Sequence, residues 1–406
     1  MTAWLTDKIP FSVKLFLKRQ RARFSSEKPS LNQKQFTTLR KHDTSVIVFD
    51  EVLPTPDRDA GSARMFLILQ ILARQYHTVF VYRTKLSDPR YERSLWQEGI
   101  ETIDLIYYAN VLKQQNFKTA IVSRPVLTHT LLPSLRKLAP RTKIIFDSVD
   151  AHYRRLEREY EVSADDAVKR KADYFRKIEL EVVSGCDIVW CTSTEDQMAL
   201  TTEASGKPVA IIPTIHPLHD RGKPFAERRN LLFIGNFNHT PNRDAVEFLV
   251  EKVLPLIRKT LPEIKLDVVG SYAPEYFQTY ASQGVNILGY LPDIGPLFQS
   301  ARLFVAPLRF GAGVKGKIGD ALSYGVPVVT TDVGAEGMQF DHGNQVLLAN
   351  TPEDFARFVV DAYTNPELWQ RLSDAGHEHV AKYFSPAAVE RLILNSLECG
   401  ATAPLW

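Results

Sequence analysis

The chain has 406 residues, of which 44% are hydrophobic, 24% charged and 10% aromatic, and its formal net charge is +3. One hydrophobic core does not organise that length, so two domains are expected. No apolar run approaches the ~18 residues that span a bilayer, the N-terminus lacks a signal-peptide core, and Cys186, Cys191 and Cys399 show neither a disulfide framework nor metal-ligand spacing. The expectation is a cytoplasmic, enzyme-sized protein without a bound metal.

Charge is unevenly placed. Residues 1–41 hold ten Lys and Arg against Asp7 and Glu27, a net +8 that leaves −5 for the rest of the chain. Within this leader, FSVKLFLKRQRARF (11–24) interleaves Phe11, Val13, Leu15, Phe16 and Leu17 with five basic residues. Two readings stand: a solvated leader, or a basic amphipathic segment peripheral to an anionic membrane surface such as the inner face of a plasma membrane. No nucleic-acid module is legible, so nucleic acid is not an expected partner.

From Ser45 the pattern alternates strand and helix. VIVFD (46–50), TVFVYR (78–83), TAIVSR (119–124), KIIFDS (143–148), IVWCTS (188–193) and VAIIP (209–213) are short runs rich in β-branched residues, separated by stretches with helical periodicity. HPLHDRGKPFAERR (216–229) is polar and aperiodic, which predicts a linker containing His216 and His219. The alternation restarts with LLFIGN (231–236), KLDVVG (265–270), VNILGY (285–290), LFVAPL (303–308), VPVVTT (326–331) and QVLLAN (345–350). Thr240, Thr351 and Ser385 each precede a proline, a helix-start signature.

The expected fold is therefore α/β: two tandem Rossmann-like doubly wound domains facing across a cleft. Their expected limits are 42–215 and 230–384, with a final helix in 385–406 that can return to the first domain.

FGAGVKGKIGDALSYG (310–325) packs five glycines and two lysines behind the strand at 303–308. Open α/β sheets bind ligands beyond the carboxyl ends of their strands. Gly311 and Gly313 let backbone N–H groups approach a ligand, and the helix that starts near Lys315 adds partial positive charge. Lys315 and Lys317 add full charges, a combination that suits a diphosphate. The competing reading is a flexible turn with two solvated lysines.

In the first domain, PDRDAGSARMF (56–66) follows the first strand. Gly61 can bring backbone to a ligand, and Ser62 can cap the helix or donate to an acceptor or phosphate. FDSVDAHYRR (146–155) places Asp147, Asp150, His152 and Arg155 at another strand end. There a histidine can orient a ligand hydroxyl or assist proton transfer, with an aspartate to fix it. The alternative is a surface loop with local ion pairs. Cys186 and Cys191 flank a buried strand and read as packing.

GAGVKGKIGDALSYGVPVVTTDVGAEGM (311–338) resembles the donor-binding segment of glycosyltransferase family four, retaining enzymes built from two Rossmann-like domains. LLFIGNFNHTPNRDAVEFLVEKVLPLIR (231–258) opens the second domain as that family does. VFDEVLPTPDRDAGS (48–62) and FDSVDAHYRRLERE (146–159) resemble a bacterial branch associated with surface polysaccharides.

The resemblance implies that the second domain holds a nucleotide diphosphate sugar and the first an acceptor, a glycan or lipid-linked glycan. Lys317 matches the family's diphosphate lysine, Lys315 an accessory basic position, and Asp320 the usual ribose-binding glutamate. Gly235 and Asn236 fall at the donor, where the family's basic pair is absent. Arg309, Lys315 and Lys317 then carry the diphosphate charge. The family's first motif glutamate is replaced by Ala312, leaving the amides of Ala312, Gly313 and Val314, or Glu336, to meet the sugar. His152 corresponds within a few residues to the family's active-site histidine. Transfer there uses the donor phosphate as base, so no protein nucleophile and no metal is implied. Two alternatives remain at this point: a non-catalytic nucleotide-sugar-binding subunit, and a nucleotide-sugar epimerase of the same fold.

Overall fold

A computed structural model describes residues 44–84, 88–203, 206–311 and 313–399. The basic leader and Ala312 lie outside the described residues. Among those described, no helix is long and apolar enough to cross a membrane.

The first sheet has seven parallel strands. They are β1 (Ser45–Val52), β2 (His77–Thr84), β3 (Glu101–Asp104), β4 (Thr119–Ser123), β5 (Lys143–Asp147), β6 (Ile188–Cys191) and β7 (Val209–Ile211), in the order β3-β2-β1-β4-β5-β6-β7. Val46 to Phe49 and Ile144 to Phe146 are buried without break. That is the signature of strands covered on both faces, and it is why unbroken β-branched runs identify them. β3 is the strand the sequence reading lacks. It is four residues, ETID, at the sheet edge with Ile103 alone buried, too short and too polar for a periodic signal.

The second sheet has six parallel strands: β8 (Arg229–Ile234), β9 (Leu266–Val269), β10 (Val285–Gly289), β11 (Ala301–Ala306), β12 (Val328–Thr330) and β13 (Leu347–Leu348). Their order, β10-β9-β8-β11-β12-β13, repeats that of the first sheet. In both, the order reverses direction next to the first strand, between β1 and β4 and between β8 and β11. Such switch points leave a crevice at the carboxyl ends of the two strands, where ligands of this architecture bind.

The segment expected to be a plain linker is only partly one. His216 and Arg228 are buried. The Arg228 guanidinium donates to Phe298 O at 2.8 Å and Ala301 O at 2.9 Å and lies 5.2 Å from the Trp369 ring. A wholly buried guanidinium is stable only with such acceptors, so this stretch is part of the second domain's core.

The last helix, Pro386–Cys399, leaves the second domain and packs on the first. Val389, Ile393 and Leu397 join Ile68 and Leu72 of the helix Ala60–Gln75 in one buried cluster. Lys143 Nζ donates to Leu397 O at 2.8 Å, and Trp190 Nε1 to Ser396 Oγ at 3.1 Å.

Candidate active site

The helix α1, Ala60–Gln75, follows β1. Its N-cap is Asp59, whose Oδ1 accepts from Ser62 N at 2.8 Å while Oδ2 accepts from Ser62 Oγ at 2.8 Å. The cap assigned to Ser62 therefore belongs to Asp59. Ser62 sits inside the first turn, where both its N–H and its hydroxyl donate to the Asp59 carboxylate. Gly61 lies in the same turn, where a Cβ would stand 3.9 Å from Val149 Cγ1 at the end of β5.

Beyond β5 the backbone turns sharply at Val149, with φ of +63°. A β-branched residue there is strained by roughly 1–3 kcal/mol, and such strain concentrates at functional sites. The turn delivers Asp150 and His152 to the start of α2 (His152–Ser163). His152 Nδ1 lies 3.0 Å from Asp150 Oδ1 and 3.4 Å from Glu179 Oε1, the latter on α3 (Asp166–Gly185). Arg155 Nε donates to Asp150 Oδ2 at 2.9 Å.

Burial disfavours charge on the ring, but the hydrogen bonds and negative charges of Asp150 and Glu179 outweigh it and lift the His152 pKa to about 9. For Asp150, burial pushes upward. The bond and charge of His152, followed by Arg155, outweigh it and hold the carboxyl at about 2. The pair is an imidazolium and a carboxylate at neutral pH. Nε2 makes no hydrogen bond among the described residues.

Facing this loop is the glycine-rich turn after β11. Gly313 adopts φ of +72°, open to glycine at little cost, and a Cβ placed on it would lie 3.7 Å from Asp150 Cβ. The two loops identified in sequence thus meet across the cleft. The helix α4 (Gly316–Ser323) then begins with Lys315 at its N-cap position, and a Cβ on Gly316 would stand 2.8 Å from Ala60 Cβ of α1. Two helix N-termini converge there, one from each domain.

Lys317 Nζ is 3.1 Å from Asp320 Oδ2, and Asp320 Oδ1 is 2.8 Å from His216 Nδ1. Burial alone would raise Asp320. The Lys317 charge and then the His216 bond hold it well below the usual carboxylate range. His216 also reaches Thr214 Oγ1 at 3.0 Å, and its ring lies where a Cβ on Gly319 would be, 2.3 Å from Nε2. Reading His216 as a linker residue missed this. It packs on α4 because Gly319 leaves the space, a pairing 104 residues apart that no local pattern encodes.

Glu336 also crosses the cleft, with Arg158 Nη1 of α2 donating to its Oε1 at 2.6 Å and Lys315 Nζ 3.5 Å from its Oε2. Burial lowers the Lys315 pKa, and the Glu336 charge partly restores it. Val314 lies against the backbone of Gly337, where a Cβ would be 2.7 Å from Val314 Cγ2.

After β8, Gly235 donates its N–H to Val269 O, and Asn236 Oδ1 accepts from Asn238 N at 2.9 Å. Both stand beside the switch point. Arg309 is differently engaged. Its guanidinium makes a two-pronged pair with Asp244 and lies 4.9 Å from the Phe248 ring, so a phosphate role requires that pair to open.

Two further groups escaped the sequence reading. Tyr290, at the end of β10, donates to Asp57 Oδ2 at 2.8 Å and bridges the domains. Asp196, after β6, has its pKa pushed up to about 6 by burial and then by the Asp150 charge. Glu179, Arg158 and Asp196 all sit in stretches whose charge density reads as solvated helix; burial marks Glu179 and Asp196, and the contact with Glu336 marks Arg158. Cys186 and Cys191 are buried, and burial pushes the Cys186 thiol up to about 12. Among the described residues no group of three or more His, Cys, Asp or Glu is arranged to hold a metal.

Residues 228–365 match the family model described as "Glycosyl transferases group 1". An uncharacterized 44.6 kDa protein in the cps region of Klebsiella pneumoniae is 29% identical over 163 residues, 38% of this chain and 42% of that protein. A poly(glycerol-phosphate) alpha-glucosyltransferase of Bacillus subtilis (strain 168) is 28% identical over 149 residues, 34% of this chain and 22% of that protein. The chain spans less than half the length of both curated relatives. The structure of HepE from Anabaena in complex with UDP and glucose is similar with a TM-score of 0.63 at 13% identity, covering 87% of this chain and 99% of that one. The fold is the two-domain Rossmann-like arrangement of such glycosyltransferases.

Proposed function

We propose that the protein is a retaining glycosyltransferase that moves a hexosyl or related sugar from a nucleotide diphosphate sugar to a glycan or lipid-linked glycan acceptor, in the synthesis of a bacterial surface polysaccharide. One observation carries the reading: the glycine turn that leads into the lysine-bearing N-terminus of α4 lies against Asp150, the carboxylate that holds His152. A ligand whose diphosphate sits on α4 has its sugar beside that pair. The UDP and glucose bound by HepE, the glucosyl transfer named for the Bacillus relative, and the cps location of the Klebsiella relative support the donor class and setting.

In this reading the α4 amides, Lys317 and Lys315 hold the diphosphate, and Asp320 accepts from the ribose hydroxyls in place of His216 or Lys317. His152, charged at neutral pH, serves as a hydrogen-bond donor to the sugar and not as a base. The acceptor proton therefore passes to the departing phosphate oxygen. The bond between anomeric carbon and phosphate oxygen breaks as that to the acceptor oxygen forms.

The test is Lys317→Ala measured by calorimetry with UDP and other nucleoside diphosphates. A charge-assisted contact of about 1.5–3 kcal/mol is lost, so affinity is expected to fall roughly ten- to hundredfold with the unfolding midpoint nearly unchanged. Unchanged affinity in the folded variant overturns the assignment.

The +8 of residues 1–41 supports a place on an anionic membrane surface, each basic group contributing ~1 kcal/mol there. Removing residues 1–40 is expected to abolish pelleting with phosphatidylserine vesicles at low salt while turnover on soluble substrate stays the same. Equal pelleting rules that surface out.

A further inference from the structure

Glu179 is a fully buried carboxylate in the interior of α3, on a face otherwise formed by Ala172, Ile178, Val182 and Val183. Burying a carboxylate is unfavourable unless hydrogen bonds and opposite charge offset it, and an apolar residue of similar volume is often as stable or more so. Its partners are specific. Oε1 accepts from His152 N at 2.9 Å, Oε2 from Tyr153 N at 3.2 Å, and Oε1 lies 3.4 Å from His152 Nδ1.

The two N–H groups belong to the first turn of α2. Ala151, its N-cap residue, offers no side-chain oxygen. Glu179 supplies from a neighbouring helix what Ser or Asp usually supplies locally. Because α2 starts at His152 itself, this cap fixes the backbone of His152. One turn earlier on α3, Phe175 stacks on the His152 ring at 5.2 Å with 18° between planes. α3 thus provides a flat wall and a carboxylate, and Asp150 holds Nδ1 from the other side.

We infer that Glu179 is a positioning residue for His152, orienting its ring so that Nε2 faces the cleft. The inference rests on the proposed role of His152 toward the sugar. Glu179 also contributes negative charge that keeps the ring protonated. Asp150, on the same loop as the ring, acts on it in the same sense as Glu179, and around Asp150 stand Arg155, Arg124 at the end of β4, and Asp196 after β6.

The experiment is Glu179→Gln on the full chain, with His152 titrated by NMR and turnover measured against pH. The neutral amide keeps one cap acceptor and removes the charge. The His152 ionisation is expected to fall by about one unit or more from the parent value, and the alkaline limb of turnover to move down with it. UDP affinity is expected to stay within about twofold, since α4 is untouched.

A folded E179Q protein with an unshifted His152 titration and an unshifted alkaline limb overturns the inference and leaves Glu179 as a helix cap alone. Where E179Q does not fold, Glu179→Asp decides. Its shorter reach is expected to lower turnover at constant UDP affinity, and parental turnover with a parental pH profile overturns positioning equally. The NMR titration needs no turnover. A parent chain without transferase activity but with a Glu179-dependent His152 titration therefore overturns the proposed function and supports the positioning role.

Discussion

His152→Ala is expected to lower turnover by roughly a hundred- to thousandfold while nucleoside diphosphate affinity stays nearly unchanged, the size of effect seen when one preorganised donor to developing charge is removed. The reasoning is geometric. Asp150 and Glu179 hold Nδ1, leaving Nε2 as the group that can act, and it is Asp150, the partner of the ring, that the glycine turn before α4 approaches. Turnover and calorimetry on the same preparation separate the outcomes. Parental turnover makes His152 a surface ion pair, and lost affinity moves it into the diphosphate pocket.

A pH signature accompanies this. Because folding raises the His152 pKa to about 9, its charged contacts stabilise the native state fully below about pH 6.5 and lose that contribution as pH rises through about 9. The alanine variant is expected to lack that alkaline decline.

Arg64→Met is expected to destabilise the first domain by about 3–5 kcal/mol, the usual result of stripping one partner from a buried ion pair. Arg64 Nη1 donates to Asp147 Oδ2 at 2.9 Å, and both side chains are almost wholly inaccessible. The same guanidinium donates to Ile212 O at 2.8 Å, tying α1 to the end of β7. Without it Asp147 keeps only the Ser123 hydroxyl, since its Oδ1 has no hydrogen-bond partner. Urea unfolding measures the loss. Replacing Asp147 by Asn in the same chain is expected to recover a good part of it, because the penalty belongs to the stranded charge. A single-variant loss below about 1 kcal/mol shows the pair to be energetically neutral.

Most strands were legible because a strand buried on both faces requires an unbroken apolar run, and few other structures do. β3 lacked that run. The glycine turn was legible because Gly311 and Gly313 both occupy positive φ, a demand that local sequence records. Capping was offered to Ser62 as one of two roles and falls to Asp59, since both carry suitable oxygens and only geometry decides between them.

What the sequence concealed is what crosses between domains. Arg158 with Glu336, His216 with Asp320 and Tyr290 with Asp57 are separated by more than a hundred residues, and although Asp320 and Glu336 were legible singly, nothing local pointed to their partners. Arg309 is a different case. Its place after β11 suggests a ligand, and in this structure its guanidinium pairs with Asp244, which no local pattern announced.

The return of the last helix to the first sheet changes what kind of object the second domain is. Covalently it is an insert, held at both ends, and not a bead at the end of a string. The outgoing and returning strands touch, for His216 N donates to Phe384 O at 2.8 Å. Two adjoining tethers remove most of the rotational freedom that a single one permits. Any rearrangement between the halves must bend both together, which leaves rocking and suppresses twisting and free separation. Each loop of the second domain therefore meets the same loop of the first at every encounter, with the register of the two faces kept by the path of the chain itself.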